Sequence, residues 1–510
     1  MILLAATLVA PSVARGQETR ELTNLVIFLR FADDEEIDHS FGEIDSMFNC
    51  RAPRYYSVYN YYDAMTYGAI HYHTVYTNDI VDGVIVSYRD TMPRCYFQPY
   101  GETNPTGYQP WEQPFMGISR REAELQARAF RYVDSLGLVD SSVVLDGDGD
   151  GFIDNVSFIV KGDVGEWASI LWPHMEFFPH DSIEGRVEVN GVRPNTFNFE
   201  FEGAGGEYFW VNTFCHEMGH SLRLPDLYHY VNYNGGSDYV TPAGTWDMMC
   251  NGHEGANHTA AIYKNKILGV CDEPIQITCD GDYTLNSVGS SRERNCYYIK
   301  SAIDSTQWFT FEYRRKADPF EFGIPQTGLL AARWNDTVPL DYNGMFANAF
   351  FDGESRAHQY WIFRPGSERD TEDGYIYAAY FSAQVGRTSF GPTTDPHPYL
   401  TDGTPETSFE ITNIQERGTE LTFHVHFLSG PYVGVTTAED LEEVEDYRLR
   451  VVDGQIVVEG AEGEEVRIYD MMGRLISTSF GEAADGVSTG AGVYVVKVGD
   501  RPARKVIVMK

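Results

Sequence analysis

His216-Glu217-Met218-Gly219-His220-Ser221-Leu222-Arg223-Leu224-Pro225-Asp226 is the stretch on which the reading of this chain turns. Histidines at i and i+4 lie one above the other on a helix face. Both imidazoles then reach a single ion at Zn–N bonds of about 2.0–2.1 Å. Glu217, directly after the first histidine, is aimed poorly at the metal but well at a water held by it. The preceding run, Tyr208-Phe-Trp-Val-Asn-Thr-Phe-Cys215, is apolar or uncharged, as in a helix inside a core. Two imidazoles and a carboxylate within such a helix need partners, and a metal supplies them.

The same stretch resembles the extended motif H-E-x-x-H-x-x-G-x-x-H/D of a large group of zinc proteases. That resemblance makes Asp226 the third zinc ligand, although Pro225-Asp226 is also an ordinary turn pair. Arg223 stands where the group has glycine. Either Arg223 adopts a positive φ, at about 1–2 kcal/mol, or the helix ends differently. The resemblance also implies a methionine turn under the zinc within Gly244-Thr-Trp-Asp-Met-Met-Cys-Asn-Gly252, with Met249 favoured over Met248. More narrowly, the chain resembles the immune-inhibitor-A-like secreted metallopeptidases of bacteria over roughly residues 20–428. The matching residues are His216–Tyr228, Trp246-Asp-Met-Met249, Ile170-Leu-Trp-Pro-His174, the aspartate loop Asp146–Asn155, Trp308–Arg314 and Gly328-Leu-Leu.

Asp146-Gly-Asp148-Gly-Asp150-Gly151-Phe152-Ile-Asp154 alternates carboxylates and has glycine at the sixth place, a calcium-loop pattern with the Phe152 carbonyl as a further ligand. Ser157 holds the twelfth place instead of glutamate, so the last ligand comes from elsewhere. Aspartates packed so closely repel one another without a cation, which favours Ca2+ in a structural role over a solvated turn.

Composition suits an exported enzyme. The chain has 510 residues, 43% hydrophobic and 14% aromatic, enough for two or three domains and unlike a disordered chain. A formal charge of −37 excludes nucleic acid as a partner. Residues 1–16 read as a signal peptide, cut after Ala14 or Gly16, although no basic residue precedes the apolar run. No later stretch is apolar enough to span a membrane. Seven cysteines leave at least one unpaired, and Cys215 and Cys250 are either a pair beside the site or two buried thiols.

Leu25–Phe31 reads as a strand of a covered sheet. Ser119-Arg-Arg-Glu122 reads as a capping box opening a helix that runs to Leu136 and stops at Gly137. The fold class is expected to be α+β. A metallopeptidase domain spans 17–280, a β-rich sandwich-like module 281–428, an acidic linker 429–446 and a small β-domain 447–510. The tail, with Ile468–Arg474, Gly492-Val-Tyr-Val495 and Arg504–Lys510, resembles the C-terminal sorting domain of the type IX secretion system of Bacteroidetes. That resemblance implies the secretion machinery as a partner and a secreted or cell-surface location.

The sequence thus describes a zinc endopeptidase acting on proteins or peptides. His216, His220 and Asp226 hold Zn2+, and Glu217 is the general base for the zinc-activated water. Tyr228, His229 and His174 are the nearby candidates for steadying an oxyanion, each with an ordinary structural role as its alternative. The competing readings are a catalytically silent surface adhesin that keeps the fold, and a metal hydrolase of non-peptide esters.

Overall fold

The computed structural model describes residues 19–508 apart from 78–79, 113–117, 163–169, 204–206, 229–240, 251–254, 339–357, 371–373, 429–447, 453–454, 460, 462–463, 471–474, 481–486, 489–491 and 500–503. The expected signal segment 1–16, the acidic linker 429–446 and His229 lie outside the described residues.

β1 (Arg20–Arg30) is buried continuously from Leu22 to Leu29. A strand hidden on both faces belongs inside a parallel sheet. β1 pairs in parallel with β2 (Ile70–Tyr76) and β3 (Asn155–Val160). β4 (His174–Phe177) and β5 (Thr196–Phe201) complete the order β2-β1-β3-β5-β4, with β4 the antiparallel edge. The architecture is therefore mixed α/β, and the reading as α+β did not anticipate a mostly parallel central sheet.

Alternation along the strands sorts the two faces. Leu25, Ile27, Leu29, Phe158, Phe197 and Phe199 pack on one side with Leu125, Ala129 and Phe130 of α3 (Arg120–Leu136). Val26, Phe28 and Ile159 face the other way, into a core shared with α1 (Phe41–Asn49), α2 (Val58–Met65) and α4 (Glu207–Ser221). α3 ends at Gly137 with φ +61°, as its sequence predicts. Its capping box is only half made. The Ser119 hydroxyl accepts the Glu122 N–H at 3.1 Å, but the Glu122 carboxylate turns to His174 Nε2 at 3.1 Å. The complete capping box belongs to Ser40 and Glu43 at the start of α1.

Downstream, one sheet runs Ile275–Gln276, Cys296–Lys300, Gln307–Arg314, Gly328–Asn335, Tyr360–Ile362, and a second runs Gly281–Asn286, Glu420–Phe427, Phe409–Arg417. Phe309 meets Phe409 at 5.3 Å and Phe311 meets Phe423 at 6.3 Å between ring centres, so the sheets face each other as a sandwich. Leu330, Trp334 and Ile362 of this region join the same core as Phe214 and Met218 of α4. Accordingly the described residues up to Ile277 and those of Gly281–Val425 form one compact unit. Thr278–Asp280 and the chain from His426 form a second unit. Its described C-terminal strands pack Ile456, Val458, Val466, Ile468, Val496 and Val498 into a small core.

Candidate metal centre

α4 carries the whole of His216–His220 and ends at Ser221. The chain then turns at Arg223, whose φ is +68°. Of the two alternatives open in the sequence, Arg223 takes the left-handed conformation. The Leu224 N–H returns to the Gly219 carbonyl at 3.1 Å and closes the helix end. That turn swings Asp226 back under the helix.

Asp226 Oδ1 lies 3.2 Å from His216 Nε2 and 3.2 Å from His220 Nε2. His216 Nδ1 meets the Met248 carbonyl at 3.0 Å, and His220 Nδ1 meets the Leu224 carbonyl at 2.8 Å. A carbonyl only accepts, so each Nδ1 carries a hydrogen, and each Nε2 is the ring nitrogen left to face Asp226. Two ring nitrogens and a carboxylate oxygen converging in a buried space need protons or a metal cation among them. Tetrahedral zinc with bonds near 2.0–2.1 Å places its ligand atoms about 3.3 Å apart. The donor set and its spacing therefore fit zinc, and the orienting carbonyls are the outer partners such histidines require.

The charges agree. Burial pushes Asp226 up, but the two imidazoles outweigh it and hold its carboxyl far below the usual range. Burial pulls His216 down, yet the hydrogen bond to Asp226 and the charge of Glu217 raise it to about 9. Glu217 brings a carboxylate oxygen within 4.8 Å of ligand atoms of both histidines.

Met249 packs in the core against Gly219 of α4. A Cβ on Gly219 would come within 3.0 Å of the Met249 Sδ, a tight contact that the methionine would have to yield to. The turn is braced from behind. Asp247 Oδ1 accepts the Met249 N–H at 2.9 Å, and its Oδ2 accepts the Thr259 hydroxyl at 2.9 Å and the Ala260 N–H at 2.7 Å. Arg314 donates to the Trp246 carbonyl at 2.8 Å and to Glu321 at 2.7 Å. These supports, and the two carbonyls that orient the histidines, leave no signal in the sequence.

Glu200 was also missed. It is fully buried on β5, on the sheet face toward α4, beside Thr213 and within the field of Glu217. Burial raises it to about 8 despite the Phe201 N–H, and Glu217 adds to the rise. The oxyanion candidates divide. Tyr228 stacks on His216 with ring centres 6.2 Å apart. His174 lies opposite Phe199 in the β4–β5 ladder, and therefore on the α3 face of the sheet. There it is bound to Glu122, while the charge of Glu217 on α4 still reaches it. Cys215 and Cys250 are separate buried thiols.

The aspartate loop brings Asp146, Asp148 and Asp154 within 4.8 Å of one another. Asp154 accepts the Thr23 N–H at 2.7 Å and the Gly147 N–H at 2.9 Å. Among the described residues Asp146 Oδ1 is buried without a hydrogen-bond partner, an acceptor of the kind Ca2+ takes. Asp150 lies outside this cluster, with its Oδ1 accepting the Phe152 N–H at 2.9 Å. Phe152 itself pairs with Arg193 in a short parallel ladder. Ser157 belongs to the sheet interior and takes no part in the loop.

A family model described as a domain of unknown function (DUF6383) matches residues 436–508. No curated protein matches the chain. Among solved structures, the chain is similar to wild-type OgpA from Akkermansia muciniphila at 12% identity. That match covers 58% of this chain and 72% of that one, with a TM-score of 0.23. It is also similar to catalytically inactive OgpA from the same organism in complex with an O-glycopeptide (glycodrosocin) substrate, at 12% identity, 58% and 71% coverage and a TM-score of 0.24. At such scores neither likeness bears on the fold or the chemistry. None of these matches is to the immune-inhibitor-A-like or the type IX sorting family.

Proposed function

We propose that this chain is a secreted zinc endopeptidase of the immune-inhibitor-A-like kind, with His216, His220 and Asp226 as zinc ligands and Glu217 as general base. One observation carries the reading: two Nε2 atoms, each fixed by a backbone carbonyl, converge with a buried carboxylate oxygen at 3.2 Å. Bound there, zinc would supply Lewis-acid polarisation of a carbonyl and would lower the pKa of a water toward about 7. Glu217 accepts the proton of the attacking water and delivers it to the leaving amine. The Met248 and Leu224 carbonyls keep both rings in one tautomer, and Met249 packs the metal helix from its core side. The aspartate loop holds a structural Ca2+ through Asp146, Asp148 and Asp154. The tail from residue 447 acts as a type IX export address.

Glu217→Gln tests the base, because it keeps shape and loses the proton acceptor. Casein hydrolysis is expected to fall by about 10²–10⁴-fold with zinc content unchanged. Near-parental hydrolysis by the zinc-loaded variant would overturn the assignment.

A further inference from the structure

Beneath α4 the sheet carries a row of polar side chains where its fold calls for apolar ones. Thr74, Asn24 and Asn155 are register partners across β2, β1 and β3, so they share one face. Asn24, Asn155, Ser157 and Asn198 are all fully buried. Asn155 Nδ2 donates to Asn24 Oδ1 at 2.7 Å, and the Ser157 hydroxyl donates to the same oxygen at 2.8 Å. Asn24 Nδ2 donates to the Thr74 hydroxyl at 3.3 Å. Asn155 Oδ1 is thereby turned toward α4, where it accepts the Ser221 hydroxyl at 2.7 Å and Asn198 Nδ2 at 3.4 Å. Ser221 directly follows His220.

Buried amides lose water and regain that energy only when their hydrogen bonds are made. Among the described residues, Ser221 is the group through which this row bonds to α4. Apolar packing alone lets a helix rock and slide over a sheet. A metal site tolerates only about 0.5 Å and 10–20° of error. A hydrogen bond of fixed length and direction, at the turn that ends in His220, removes that freedom.

We propose that Asn155, oriented by Asn24 and Ser157, is a positioning residue for the metal helix and acts through Ser221. The bond fixes the rotation and height of α4, and hence the aim of His220 and Glu217. This rests on the zinc reading above.

The test uses the full chain with Ser221→Ala, and Ser221→Thr as the variant that keeps the hydroxyl. Zinc affinity is read by competition with a chromophoric chelator, and kcat and KM on a casein-derived peptide. Ser221→Ala is expected to lose about 10-fold or more in zinc affinity, within the range seen for outer partners of metal ligands. It should lose kcat with KM little changed, while Ser221→Thr recovers both. If Ser221→Ala folds poorly, Ser157→Ala, which frees Asn24 Oδ1 of one donor, should move zinc affinity in the same direction. Parental zinc affinity in Ser221→Ala, or equal losses in the alanine and threonine variants, would overturn the inference alone. A parental chain that binds no zinc would overturn the function and this inference together.

Discussion

Asp226 is six residues from His220 in sequence and 3.2 Å from it in space, and Arg223 makes that return possible at φ +68°. Asp226→Ala should lose zinc occupancy together with activity, whereas a variant that still carried full zinc by metal analysis would send the search for a third ligand elsewhere. Arg223→Gly removes the clash of a Cβ in the left-handed region, worth about 1–2 kcal/mol. It should raise the denaturant midpoint; a lowered midpoint would mean the arginine side chain contributes more than its backbone costs. At this scale the sequence was legible where chemistry repeats at fixed spacing, as in His216, Glu217 and His220. The Met248 and Leu224 carbonyls were not legible, because every residue has one. Glu200 was hidden for another reason: one glutamate in a strand of phenylalanines has no local signal, and its importance arises only when α4 is laid over it.

Elements with a period and a punctuation mark were read well. α3 stops at Gly137 as expected, and β1 shows the continuous apolar run of a covered strand. The capping box was misread because Ser119-Arg-Arg-Glu122 fixes the spacing but not the competitor, and His174 takes the glutamate. The parallel order of the sheet was illegible, since pairing depends on contacts between distant strands. Glu200 allows a pH test of the α4–β5 contact. Its carboxyl is raised to about 8 from an ordinary 4.5, so the folded state holds a proton that the unfolded state releases. Stability from this group is therefore intact below about pH 4.5 and is lost as pH rises toward 8. Glu200→Gln should match the parent near pH 4 and melt progressively higher than it from pH 5 to 8. A constant difference across that range would show that Glu200 does not titrate in this way. The aspartate loop gives a second test. A cation bound only to the folded state adds about 2.7 kcal/mol at a hundredfold excess over Kd. Calcium should raise the parental melting temperature and leave Asp148→Ala unmoved; identical melting of the parent with and without millimolar calcium would reduce the loop to a solvated turn.

Across the whole molecule, the change from helical to strand-rich sequence near residue 281 marks a change of element type, not the edge of a core. Residues of the sandwich share one cluster with α4, and the described chain from Gly281 to Val425 groups with the chain before Ile277. Composition tells where strands begin but not which surfaces they bury together. Among the described residues no helix is long and apolar enough to cross a membrane. The central claim is that one zinc ion, held by His216, His220 and Asp226, is required for peptide hydrolysis. It is tested most directly by stripping the protein with a zinc-selective chelator, keeping calcium present, and titrating zinc back while following casein hydrolysis. The account predicts negligible activity in the stripped protein, a linear rise to one zinc per chain and then a plateau. Full hydrolysis by the stripped protein, or none at any zinc concentration, would contradict it.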